Sequence, residues 1–118
     1  MTLSKQNVTV YDSNNQTVES FICSTGTEED GTPVGTFTIK ERGQSFFSKT
    51  YQEGACYWTQ FDGDYLFHSV PFDKNKTIDA VEAAKLGSRA SHGCIRLSIE
   101  NAKWIYDNIP KGTKVVIE

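Results

Sequence analysis

The stretch Cys56-Tyr57-Trp58-Thr59-Gln60-Phe61-Asp62-Gly63-Asp64-Tyr65-Leu66-Phe67-His68-Ser69 decides the fold class of this chain. Aspartate-glycine between two aromatic-rich runs is a strong signal for a type I′ hairpin, with strands over 56–61 and 64–69. Side chains alternate along a strand, so Tyr57, Thr59 and Phe61 share one face and Trp58 and Gln60 the other. One face is core and the other floors a groove; alternation alone leaves open which. His68 stands near the C-terminal end of this hairpin.

Working outward, Asn7 to Tyr11 and Val18 to Ser24 alternate apolar with polar across the turn cluster 12–16 and read as a second hairpin. Thr25 to Pro33 is a polar loop. Gly35 to Lys40 reads as a third strand, ended by Arg42-Gly43. Residues 44–54 give no clear pattern, and Phe46-Phe47 fits either core or the wall of a groove. Thr77 to Leu86 holds a short helix, near 79–86, with Gly87 as its stop. Ser98 is placed to cap a firm helix over about 98–108, since Ile99, Ala102, Ile105, Tyr106 and Ile109 recur at helical spacing. Pro110-Lys111-Gly112 ends it and Thr113 to Ile117 closes the chain as a strand. Residues 1–118 therefore read as one mostly β domain with one firm helix and no internal repeat.

Composition narrows the class. A chain of 118 residues buries a real core without metal or disulfide staples. The net charge of −3 and the absence of a basic block argue against nucleic acid as a partner. No run approaches the ~18 apolar residues of a membrane helix. Met1-Thr2-Leu3-Ser4-Lys5-Gln6 is too polar for a signal peptide. Strand-like sequence begins almost at once, as in a piece trimmed from a longer exported protein. Monomer is the default state.

The chemistry gathers in Ser91-His92-Gly93-Cys94-Ile95-Arg96-Leu97. A free cysteine has a pKa of about 8.5, so an imidazole that takes its proton makes it a nucleophile at neutral pH. Only two histidines are present, His68 and His92. His92 shares a face with Cys94 if the segment is extended. In a tight glycine turn the backbone N–H groups of Gly93 and Cys94 converge instead, and the segment forms an oxyanion site. Gly93 suits that turn because it tolerates unusual φ. His68 is the better base, because Ser69 follows it and can orient the ring. Arg96 offers a rigid fork for a carboxylate, or a bridge between loops. Cys23 and Cys56 are left as a disulfide or two buried thiols. Zinc on Cys94, His92, His68 and a further thiol is the rival chemistry, but no C-x-x-C or H-x-x-x-H spacing supports it. The acidic loop at Glu28-Glu29-Asp30 lacks a calcium ligand ladder. No metal or cofactor is called for.

Ser24-Thr25-Gly26, then Thr32-Pro33-Val34-Gly35-Thr36-Phe37, then His68-Ser69, then the Ser91–Leu97 segment together resemble the YkuD-type L,D-transpeptidase catalytic domain, over Val8 to Ile117. The resemblance implies a β-sandwich-like fold and peptidoglycan stem peptides of the bacterial cell wall as substrates. Carried over, Cys94 is the nucleophile, His68 the general base and Ser69 the group that orients it. His92, Gly93 and Cys94 line the oxyanion region, and Arg96 and Ser91 serve the substrate side or brace the motif. The implied reaction releases D-alanine from a tetrapeptide donor and joins the acyl group to a diamino-acid acceptor, cross-linking two third residues. Transfer to water instead would make an L,D-carboxypeptidase, and loss of chemistry a peptidoglycan-binding module. Carbapenem-type β-lactams are the implied inhibitors and the cell wall, outside the cytoplasm, the implied location. One departure is the long interval from His68 to Ser91, whose extra residues fall in 73–85 as a small lid or helix.

Overall fold

In the computed structural model, residues 1–27, 31–49, 53–63, 65–72, 78–91 and 93–118 are described. Among these residues eight strands and two helices follow in order: β1 Asn7–Tyr11, β2 Thr17–Ile22, β3 Gly35–Thr38, β4 Arg42–Ser48, β5 Glu53–Asp62, β6 Tyr65–Ser69, α1 Ala80–Ala83, β7 Ile95–Leu97, α2 Ile99–Asn108 and β8 Lys114–Ile117. The protein is mostly β, as its alternating segments imply.

Three sheets form. β1 and β2 make the expected antiparallel ribbon, β3 pairs antiparallel with β8, and a four-stranded sheet runs β4-β5-β6-β7. The first three strands of that sheet are antiparallel neighbours, and β7 joins parallel to β6. One apolar core unites the three sheets with α2. It contains Val8 and Phe21 from the ribbon, Phe61, Phe67, Ile95 and Leu97 from the large sheet, and Val115 and Ile117 from β8. Ala102 and Ile105 contribute the buried stripe of α2, whose Ser98 cap accepts the Asn101 N–H at 3.2 Å. Trp104 meets Phe21 edge-to-face, with ring centroids 5.6 Å apart.

Alternation along β5 resolves in one direction. Thr59 and Phe61 are fully buried on the core side, while Trp58 and Gln60 face a cleft. The hairpin turn differs from its expected form. A register shift between Gln60 and Asp62 carries Phe61 into the core, so that Asp62 itself pairs with Tyr65. Gly63 sits at φ +51° and Asp62 keeps an ordinary φ, while Asp64 lies outside the described residues. Arg42-Gly43, expected to end the third strand, instead open β4, which runs into the unreadable stretch 44–54 as far as Ser48, and its Phe46 is a wall of the cleft rather than core. The short helix is one turn, capped by the Asp79 carboxylate on the Val81 and Glu82 N–H groups. Beyond it the chain tightens, with Lys85 and Leu86 donating to carbonyls three residues back, until Gly87 at φ +99° ends the segment. Residues 73–77 of the expected lid lie outside the described residues. Cys23 and Cys56 are thiols, Cys23 buried and Cys56 half-buried, and burial pushes the Cys23 thiol up to about 12.

Candidate active site

The parallel pairing of β6 with β7 assembles the site. Phe67 stands opposite Ile95, His68 opposite Arg96 and Ser69 opposite Leu97. Directly opposed residues share a face and alternate ones change it. Phe67, Ile95 and Leu97 therefore enter the core, while His68 and Arg96 turn to the other side. Cys94 precedes Arg96 by two positions, just before β7. His68, Cys94 and Arg96 all line one cleft of ≈ 990 Å³, together with Phe46, Trp58 and Tyr65.

His68 is buried, and its Nδ1 lies 2.6 Å from the Ser69 carbonyl oxygen. A carbonyl only accepts, so Nδ1 carries the proton, and the neutral ring keeps its lone pair on Nε2. Burial, opposed by the Ser69 hydrogen bond and reinforced by the Arg96 charge, lowers the His68 pKa from 6.5 to about 4. The imidazole is accordingly uncharged at neutral pH. Phe46 packs edge-on to it, with ring centroids 5.4 Å apart. The Ser69 side chain acts elsewhere. Its hydroxyl accepts from the Cys56 N–H and donates to the Val70 carbonyl, both at 2.9 Å.

The loop carrying Cys94 is held by hydroxyls. Ser91 Oγ accepts the Gly93 N–H at 3.1 Å and donates to the Cys94 carbonyl at 2.5 Å. Thr32 Oγ1 donates to the Gly93 carbonyl at 2.7 Å and accepts the Gly26 N–H at 2.9 Å. Ser24 exchanges backbone hydrogen bonds with Arg96, and Thr25 accepts from Ser91 while Thr27 donates to it. The segment 24–27 thus flanks both ends of the cysteine loop. Gly93 sits at φ +126°, and a Cβ there would collide with the Tyr65 ring. Glycine is required on both counts.

Arg96 is buried and loosely paired. Its Nη2 is 3.5 Å from Glu53 Oε1 and its Nη1 3.7 Å from Glu82 Oε1, on α1. Among the described residues its Nε and Nη1 lack a hydrogen-bond partner. A buried guanidinium with open donors is costly unless something completes its set.

The L,D-transpeptidase catalytic domain (YkuD) family model matches residues 2–117. The chain belongs to the YkuD family. YciB of Bacillus subtilis (strain 168), provisionally named an L,D-transpeptidase, is 53% identical over 107 residues, covering 86% of this chain and 55% of YciB. A crystal structure from Clostridium acetobutylicum ATCC 824, of a fused Zn-dependent amidase/peptidase/peptidoglycan-binding domain-containing protein, superposes with a TM-score of 0.78 at 36% identity. It covers 99% of this chain and 49% of that one. The structure of the L,D-transpeptidase LdtMt1 in complex with imipenem gives a TM-score of 0.82 at 21% identity, over 99% of this chain and 56% of that one. The last likeness shows the YkuD fold alone. The chain spans about half the length of these relatives.

Of the residues the YkuD pattern singles out, the cleft gathers His68, Ser91, Cys94 and Arg96. Ser69 meets the His68 ring through its carbonyl, and the Gly93 N–H is engaged by Ser91. Of the two roles expected for Ser91, substrate side or brace of the motif, its hydroxyl takes the bracing bonds, to the Cys94 carbonyl and the Gly93 N–H. His92 lies outside the described residues. Phe46 takes the groove-wall option of the two the sequence leaves open, and Tyr65 comes from the aromatic hairpin, whereas Glu53 and Glu82 reach the site without a sequence signal. Thr32 belongs to the Thr-Pro-x-Gly-Thr-Phe motif, but its bond to Gly93 spans a separation that no local pattern reveals. No helix among the described residues is long and apolar enough to cross a membrane.

Proposed function

We propose that this domain is a cysteine acyltransferase of the bacterial cell wall, an L,D-transpeptidase acting on peptidoglycan stem peptides. The observation that carries the reading is the β6–β7 pairing, which sets His68, its Nδ1 against the Ser69 carbonyl, in one cleft with Cys94. In the proposed cycle His68 Nε2 takes the Cys94 proton as Sγ attacks the carbonyl of the third residue of a tetrapeptide stem. The oxyanion faces the Cys94 end of the loop, with His92 and Gly93 shaping it. Collapse breaks the amide bond, and His68 returns the proton to the departing D-alanine amine. The side-chain amine of a second stem then attacks the thioester, gives a proton through His68 to the leaving thiolate, and leaves an amide cross-link between third residues.

Arg96 holds a donor carboxylate in this reading. Its Nε and Nη1, which lack a hydrogen-bond partner among the described residues, and its position in the cleft support that role. β-Lactams of the carbapenem type acylate Cys94 by the same attack, a reading that the LdtMt1–imipenem complex supports by analogy of fold. Extracytoplasmic location at the cell wall follows from the substrate.

The test is incubation with disaccharide-tetrapeptide, products read by mass spectrometry, with Cys94→Ala alongside. Cross-linked dimer with free D-alanine, absent in the variant, is the expected result. Tripeptide without dimer means water is the acceptor and the domain an L,D-carboxypeptidase. No product from a folded wild type contradicts the enzymatic reading and leaves a peptidoglycan-binding module.

A further inference from the structure

We infer that Thr32 is a positioning residue for the oxyanion step: its hydroxyl fixes the direction of the Cys94 N–H from behind the nucleophile loop. The inference rests on the proposal that Cys94 is the nucleophile.

Peptide geometry sets that direction. Gly93 C=O and Cys94 N–H belong to the same peptide unit. No cis peptide bond occurs among the described residues, and in a trans peptide the carbonyl and the N–H point in opposite directions. Thr32 is buried, and its Oγ1 donates to the Gly93 oxygen at 2.7 Å. Cys94, on the other end of that unit, lines the cleft, whereas Thr32 does not. The carbonyl is thus drawn away from the cleft and the N–H is aimed toward it. The Thr32 hydroxyl is itself oriented, because the Gly26 N–H donates to its oxygen at 2.9 Å and leaves its proton for Gly93.

Two further restraints make the arrangement specific. On the far side of Cys94, its own carbonyl accepts from Ser91 Oγ at 2.5 Å. Both peptide planes that flank the nucleophile are therefore held by buried hydroxyls, one from each side. Gly93, at φ +126°, has the conformational freedom to let its peptide plane swing if one tether is cut. Loss of Thr32 Oγ1 frees the plane that carries the N–H and leaves Ser91, His68 and the Sγ in place. Oxyanion donors act only when aimed at the position the developing charge will occupy, so a rotated plane loses the contribution without removing the nucleophile.

That separation gives a test that a merely structural role would not satisfy. Two reagents are compared on the tryptic peptide 90–96, which contains Cys94. Imipenem acylation forms an Sγ–C bond at the lactam carbonyl, breaks the lactam C–N bond and delivers the thiol proton to the ring nitrogen, passing through an oxyanion. Iodoacetamide alkylation forms an Sγ–C bond, expels iodide and releases the thiol proton, with no oxyanion. Thr32→Val is expected to slow imipenem acylation about 10- to 100-fold and to leave alkylation within about two-fold of wild type. Thr32→Ser, which keeps the hydroxyl, is expected to restore acylation. Thr32→Ala carries the same expectation as Thr32→Val, should the valine variant melt below the assay temperature. Equal acylation in wild type and the hydroxyl-free variant overturns the inference, and so does a parallel fall in both reactions. A wild type that gains no imipenem adduct on peptide 90–96, though it is alkylated there, overturns the nucleophile assignment and this inference with it.

Discussion

His68 carries the most consequential chemistry at the residue scale. Its burial and its bond to the Ser69 carbonyl favour one neutral tautomer, so the cysteine meets a base rather than a preformed imidazolium. A base must be unprotonated to act. With the pKa lowered to about 4, protonation should switch the reaction off only near that pH. The rate of imipenem acylation of Cys94, measured seconds after a pH jump, is expected to fall with a midpoint near 4 and not near 6.5. A midpoint at the ordinary imidazole value would mean that the ring works exposed to water. Residue type does not show which atoms of Ser69 and Ser91 make the contacts. Serine reads as a hydroxyl, yet at position 69 the backbone oxygen meets the ring, and at position 91 the hydroxyl braces its own loop.

Elements differ in how far the sequence exposes them. The α2 helix announces itself through Ser98 and a repeating apolar face, because a cap and a periodic stripe are local signals. Removal of that cap by Ser98→Ala is expected to lower the unfolding free energy by about 1 kcal/mol in urea denaturation. An unchanged midpoint would show that the bond to the Asn101 N–H contributes nothing net. β4 stays hidden for a physical reason. It is the outer strand of the four-stranded sheet, and Gln44, Ser45 and Phe47 are exposed, so no core face imposes alternation on it. The Asp62-Gly63 turn misleads by one residue, since Asp62 belongs to the strand and pairs with Tyr65. The pairing of β6 with β7 is the least legible element and the most important. Parallel neighbours are distant in sequence, and only the fold reveals that Arg96 stands beside His68.

Over the whole molecule, the buried site makes stability depend on pH. The folded pKa of His68 lies below its ordinary value of 6.5, so the unfolded chain binds more protons between 6.5 and about 4. Stability is then full above pH 6.5 and is lost as the pH falls toward 4, by about 3 kcal/mol across the window. Urea midpoints from pH 7 down to 4.5 should fall in the wild type, and His68→Gln should flatten the curve. The same slope in both proteins would place the acid sensitivity elsewhere. The family was legible from sequence because its motifs converge in space: segment 24–27, Thr32, His68 and the cysteine loop all meet around one turn.

The claim on which the rest depends is that Cys94 forms the acyl-enzyme. The direct measurement is the mass of the domain quenched within seconds of mixing with disaccharide-tetrapeptide, followed by tryptic mapping. An adduct equal to the donor less D-alanine, on peptide 90–96 and absent from Cys94→Ala, is the expected result. Product formation without that adduct, or an adduct on the peptide bearing Cys56, would contradict it.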